Sequence, residues 1–291
     1  MKYQTLSGSG FTLASALLYA IQAAVIKLYA GNISLPMIVF SQSLVALILL
    51  MPILLYQNKK VPDNLLATKI PLLHLWRTVF SLGISYFLFA SLYYIPLVDG
   101  VLLANTAPFF IPFILLIFAK QKLQHTLWLP LAIGFIGIIF ILKPDGKLFD
   151  YHALIALGAG LSMAGSITMV RNISTQDNSL TIIFYYFLFS TIIAGIAAMI
   201  FWQEITLNIF MLLALIGLLF FFVQYLLVIG LKYITAQSFS VLYYANVIFA
   251  AILGMIIFHE VSDTLSIIGI LLAIISAIVI IKQQTLKQKT A

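Results

Sequence analysis

The chain has 291 residues, of which 63% are hydrophobic and only 8% charged, with a formal net charge of +7. A soluble domain carries about 25% charged residues, so this composition excludes a soluble domain of any size. There is no cysteine, which excludes disulfides, thiolate catalysis and cysteine-ligated metal.

Ten apolar stretches run almost end to end through the chain. A helix needs about 20 apolar residues to cross the hydrocarbon core. The spans are predicted at Phe11–Ala30, Leu35–Tyr56, Leu72–Tyr93, Leu97–Ala119, Leu127–Leu142, Ala153–Arg171, Leu180–Phe201, Leu207–Leu231, Ala236–Phe258 and Leu265–Ile281, the fifth and tenth being short. Lipid offers the backbone no hydrogen bonds, so each span is expected to be a helix. The alternation of an outer-membrane barrel is absent. The fold class is an all-α polytopic membrane protein with ten transmembrane helices.

The first span is too long for the apolar region of a signal peptide, and no small-residue cleavage site follows it. Its Ser15, Tyr19 and Gln22 fall at i, i+4 and i+7, on one face. The Gln22 amide offers two donors and an acceptor, which suits an amino-acid-like solute. The alternative is a hydrogen bond between helices, worth about 1 kcal/mol. Lys27 closes this span, either snorkelling to the headgroups or acting as a gate or carboxylate-binding cation. The second span carries Gln42 between two serines. The longest loop, Gln57 to about Pro71, reads as a cytoplasmic connector. His74 and Arg77 open the third span and are expected at the membrane interface, with Arg77 a candidate for gating or charge.

Asp99 opens the fourth span, which continues with Asn105 and Thr106 and then Pro108 and Pro112. Two prolines remove two backbone donors and are expected to kink this helix beside a cavity. The segment Lys143–His152 looks like a joint between two halves. Beyond it come Ser166 and Arg171 in the sixth span, Tyr186 in the seventh, and Gln224 with Tyr225 in the eighth. The deeper tyrosines, Tyr186 and Tyr225, suit an aromatic wall for an aromatic or cationic solute. The ninth offers Tyr243, Tyr244 and Asn246 after Gln237 and Ser240. His259, Glu260 and Asp263 share a short outer loop that reads as a capped helix end rather than a metal site. No carboxylate lies in the middle of a predicted span, which favours exchange or downhill flux, with ion coupling through His, Tyr or backbone carbonyls as the alternative. Small residues recur at four-residue spacing, as Ala156, Gly160 and Ala164, and as Gly269, Ala273 and Ala277. Such stripes serve internal packing or a dimer face.

With the N-terminus in the cytoplasm, every basic residue except Lys27, Lys143 and Lys147 falls on the cytoplasmic side, out of 15. That bias places both termini inside. The positive charge is a topology signal and an attraction to anionic lipid, not a nucleic-acid footprint.

The chain also repeats. At an offset of 139, Tyr86–Lys143 falls without a gap on Tyr225–Lys282, pairing Tyr86 with Tyr225, Tyr94 with Tyr233, Asn105 with Tyr244, Phe110 with Phe249 and Lys143 with Lys282. At an offset of 144, Leu13, Leu17 and Ala20 fall on Leu157, Leu161 and Ala164, and Lys27 on Arg171. The two units are residues 1–147 and 148–291. An odd number of spans per unit inverts the second in the membrane, as in secondary transporters with a solute site at the midplane.

The segment Ala90–Leu123, its second copy Gly230–Leu265 ending in Glu260, and the small-residue first helix ending in Lys27 resemble the EamA-type transporters of the drug/metabolite transporter superfamily. Where that family often has Trp-Gly in the first helix, this chain has Tyr19-Ala20. An arginine common in its second helix gives way to Ser41-Gln42-Ser43, and the first-copy glutamate is Gln121. The resemblance implies ten helices as two inverted five-helix repeats, a bacterial inner-membrane location, and export or import of a small metabolite.

The expected function is therefore a secondary transporter for a small polar or zwitterionic metabolite, or for a larger nucleoside-type one such as S-adenosylmethionine. Alternating access would occur around Tyr19, Gln22, Gln42, Asn105, Thr106, Ser166, Tyr186, Gln224, Tyr225, Tyr243 and Asn246, with Lys27, Arg77 and Arg171 as gating or charged groups. The expected partners are the substrate and the bilayer, with no cofactor and a monomer or homodimer. A membrane-embedded lipid-modifying enzyme would need an acid pair, an HExxH or a GxSxG, none of which the sequence contains. A passive channel or structural subunit predicts that Gln22→Ala or Asn246→Ala changes nothing.

Overall fold

A computed structural model describes the backbone of residues 2–29, 31–60, 64–118, 125–142, 151–233, 242–260 and 264–290. Among the described residues every regular element is helical: α1 (Lys2–Leu28), α2 (Leu35–Asn58), α3 (Pro71–Ser91), α4 (Leu97–Ala104), α5 (Ala107–Phe118), α6 (His125–Leu142), α7 (Tyr151–Ile173), α8 (Ser179–Ile200), α9 (Leu207–Tyr233), α10 (Ala245–Phe258) and α11 (Thr264–Thr290). Seven segments are long and apolar enough to cross a membrane, α4 and α5 together making one of them as Leu97–Ile114. Three shorter apolar helices lie at Trp128–Phe140, Ala245–Phe258 and Ile267–Ser276.

Local chemistry sets the ends. Proline stands in the first turn of α2 and α3, where the missing N–H has no helical partner to lose. Asn178 caps α8 by accepting from the Leu180 N–H.

The polarity of the bundle is reversed relative to a soluble protein. Met199, Leu207 and Ile256 are 79%, 72% and 68% exposed, whereas Gln22, Gln42 and Asn246 are at most 2% exposed. Apolar residues outside and amides inside describe a protein solvated by lipid.

The packing crosses the chain's midpoint almost everywhere. The most extensive interfaces are α3 with α7, α6 with α11, α1 with α9, and α2 with α8. Neighbours in sequence, such as α2 with α3, touch far less. Two units emerge, α3–α4–α5–α7 and α1–α9–α10, and each draws helices from both halves of the sequence. The α2·α8 pair bridges them, α2 leaning on α9 and α3 on α8. The two halves of the sequence are interleaved by these interfaces.

The small-residue stripes are internal. A Cβ on Gly160 would collide with Thr106 Oγ1, and one on Gly137 would lie 2.7 Å from the Gly269 carbonyl. Ala156, Ala164 and Ala273 are buried. Ala277 lies outside the residues whose side chains are described.

Contacts at the helix ends sort into two sets. At one end Ser34 bonds Phe201 and Gln203, and Tyr94 stacks on His152 at 3.9 Å. At the other, Thr68 bonds Asp177, Leu65 accepts from Thr181, and Phe11 meets Tyr233.

Candidate transport site

The predicted kink in the fourth span is a break. The helix stops after Ala104 and resumes at Ala107, and the N–H that Pro108 lacks is the one that would have donated to the Ala104 carbonyl. Pro112, by contrast, is carried within α5 without interruption. The polar side chains at the break bond back to carbonyls that also accept backbone N–H groups: Asn105 Nδ2 donates to Val101 O at 2.7 Å, and Thr106 Oγ1 to Leu103 O at 2.6 Å. Asn105 O accepts from the Tyr244 hydroxyl at 2.8 Å. Tyr244 itself stands at the turn that opens α10. Asn105 and Asn246 exchange amide hydrogen bonds at 3.3 and 3.4 Å. These buried groups hold α4 to α10 at the break.

A second polar chain crosses the other side of the interior. Gln22 Nε2 on α1 donates to Gln42 Oε1 on α2 at 2.9 Å, and Gln42 Nε2 lies 3.5 Å from Ser85 Oγ on α3. One turn along α3, Ser81 bonds Ser166 of α7 at 2.8 Å. Ser15 donates to Val223 O on α9 at 2.9 Å. Tyr19 and Tyr243 stand with ring centroids 6.2 Å apart.

Arg77 and His74 stand near the end of the bundle where Thr68 meets Asp177. Both face into the bundle, His74 with no exposure and Arg77 with 7%, because α8 packs over the start of α3. Arg77 lies over the Tyr186 ring at 4.0 Å. His74 Nε2 is 2.7 Å from Asp177 Oδ2, to which Thr68 also donates at 2.5 Å. Tyr186 belongs to an aromatic cluster with Phe187 and Phe220, and Tyr225 stacks on Phe221 at 5.5 Å. Tyr225 thus packs within α9's own aromatic face, and the partly buried Gln224 joins neither polar chain described above.

At the opposite end Lys27 does not snorkel. Its ammonium meets Glu260 at 2.6 Å and the Ile95 carbonyl at 2.5 Å, and it lies over the Phe258 ring at 5.2 Å. Glu260 also accepts from the Leu97 N–H at 2.8 Å, at the positive end of α4. His259, at φ 54, takes the left-handed conformation that closes α10 and turns Glu260 back over Gly254. The Arg171 side chain, Gln121, Gln237, Ser240 and Asp263 lie outside the described residues.

The structure therefore joins Gln22 to Gln42, Asn105 to Asn246, Tyr19 to Tyr243 and Tyr186 to Arg77. Thr106 is committed to its own backbone. Sequence reading passed over Ser81 and Ser85, which follow Arg77 at i+4 and i+8, the spacing of one helix face. Glu260 was visible only as a helix end. Asp99 is buried in the first turn of α4. Among the described residues no cluster of three or more metal-ligating side chains forms.

Apolar helices with an internal polar seam define a multi-pass membrane protein. The sequence matches the EamA-like transporter family over residues 6–143 and again over 151–282, and the chain belongs to that family, within the drug/metabolite transporter superfamily. Relatives include a pseudopaline exporter of Pseudomonas aeruginosa, 26% identical over 65% of this chain and 68% of the relative. A riboflavin transporter of Vibrio cholerae is 26% identical over 70% and 68%. An S-adenosylmethionine uptake transporter of Rickettsia bellii is 23% identical over 80% and 79%. A solved crystal structure superposes over the whole of both chains with a TM-score of 0.60 at 14% identity, a likeness of fold alone. Family and relatives are transporters, which makes this chain a transporter and not an enzyme.

Proposed function

We propose that the chain crosses a bacterial inner membrane ten times, as inverted repeats at residues 1–147 and 148–291 with both termini cytoplasmic. In this reading it moves a small polar or zwitterionic metabolite by alternating access. The observation that carries the reading is the polar seam, in which Gln22, Gln42, Ser81, Ser85, Ser166 and Arg77 converge from four helices inside an apolar bundle. Groups withdrawn from water at such cost serve a solute or one another. Tyr19, Tyr186 and Tyr243 supply aromatic surface beside them.

The helix breaks at Asn105 and Tyr244 support the inverted-repeat reading, since discontinuous helices mark the midplane sites of such carriers. The interleaved packing favours rocking of α3–α4–α5–α7 against α1–α9–α10. Lys27 with Glu260 forms the gate at one end. A larger nucleoside-type cargo is the second reading, favoured by the relatives named as S-adenosylmethionine uptake transporters.

Flux into proteoliposomes tests the function, with a panel of amino acids, polyamines, flavins and nucleoside-type metabolites. Saturable uptake of one class supports it, and no movement across the panel defeats it.

A further inference from the structure

Arg77 is a buried cation with no ion-pair partner among the described residues. Its Nη1 reaches the Ile182 carbonyl only at 3.5 Å, and its Nε has no hydrogen-bond partner among the described residues. Among those residues no carboxylate lies within 4.0 Å of it. Asp177 is held by His74, and Glu260 is held by Lys27 at the far end of the bundle.

A guanidinium keeps its charge in any protein environment. One face here rests on Tyr186, which fixes the plane, and along the donor edge Nη1 makes only the long bond to Ile182 while Nε has no partner among the described residues. That edge is the geometry that takes a carboxylate through two parallel hydrogen bonds. Ser81 and Ser85 continue the same face of α3, both buried, and Ser85 ends the amide chain from Gln22 and Gln42. One cation among neutral amides and hydroxyls balances a single negative charge, which favours a carboxylate over a phosphate dianion.

Resting on the transport reading above, we propose that Arg77 is the binding group for a carboxylate on the transported solute. The cargo is then a small monocarboxylate or an amino-acid-type zwitterion, oriented acid end towards the His74–Asp177 end of the bundle. Tyr186 is the positioning residue behind the guanidinium.

Thermal melting of the purified protein tests this, using each proteinogenic amino acid against its own carboxamide, benzoate against benzamide, and inorganic phosphate. Binding raises the apparent melting temperature by mass action. At least one carboxylate should stabilise the protein where its matched amide does not. Arg77→Lys keeps the charge and loses the fork, and should weaken that carboxylate about tenfold or more. Arg77→Gln should abolish the effect. If the glutamine variant does not fold, the lysine variant decides. Equal stabilisation by acid and amide, stronger stabilisation by phosphate, an unchanged affinity in Arg77→Lys, or no stabilisation by any acid overturns the proposal. Flux of amines or neutral solutes that is indifferent to Arg77→Lys would overturn it while leaving the transport reading standing.

Discussion

The hydroxyl of Tyr244 donates to the backbone carbonyl of Asn105 at 2.8 Å, and the two residues stand 139 positions apart. That separation is the offset at which the second half of the sequence falls on the first. Both residues sit where a helix is interrupted.

Tyr244→Phe removes this bond without removing the ring. A single interhelical hydrogen bond in a membrane is worth about 0.6 kcal/mol, so melting should fall only slightly. Transport should fall severalfold, because α4 loses its tie to α10 at the break. Asn246→Ala, which strips Asn105 of both amide bonds, should behave in the same way, and proteoliposome flux measures both.

The latch at Lys27 predicts an altered conformational balance. Glu260→Gln leaves the Lys27 ammonium without its carboxylate and weakens the cap on Leu97. A cysteine introduced at Tyr19 in this cysteine-free chain should then react faster with an impermeant maleimide applied from that end. The double exchange Lys27→Glu with Glu260→Lys should restore slow labelling in part, through the re-formed ion pair.

Close packing predicts a stability cost. In Gly160→Ala the new methyl would collide with Thr106 Oγ1 and meet the Leu103 carbonyl at 2.6 Å. Overpacking of this kind costs about 1–3 kcal/mol. Denaturant unfolding should show the loss, whereas Gly10→Ala, with nothing within 4 Å of the added carbon, should show none.

Asp177→Ala should destabilise the other end. It deprives both His74 Nε2 and Thr68 Oγ1 of their acceptor, and a buried polar group left unsatisfied costs about 1–3 kcal/mol. Melting of the variant against Thr68→Ala and the double variant measures the share of each partner.

The positions of the apolar segments were legible because lipid imposes length and hydropathy directly. The break at Asn105–Thr106 was foreshadowed by Pro108, while Pro112 gave the same signal and broke nothing. Gln22, Gln42, Asn105 and Asn246 stood out because an amide in an apolar span has few reasons to be there. Which amide meets which did not, since pairing is set by helix packing between distant parts of the chain. The direction of Arg77 was hidden for the same reason: its place near the start of α3 is legible, but only α8 lying across it decides that it faces inward. The salt bridge of Lys27 with Glu260 depends on the left-handed turn at His259, a conformation that histidine does not announce.

The crosswise packing of α1 on α9 and of α3 on α7 has a consequence for biogenesis. When the first half of the polypeptide leaves the ribosome, the partners its helices require have not been synthesised. Those early helices must wait in the bilayer, Ser81 and Asn105 without Ser166 and Asn246, until translation delivers their mates. A chain severed at the midpoint and supplied as two co-expressed fragments should assemble, while either fragment alone should be cleared by membrane proteolysis.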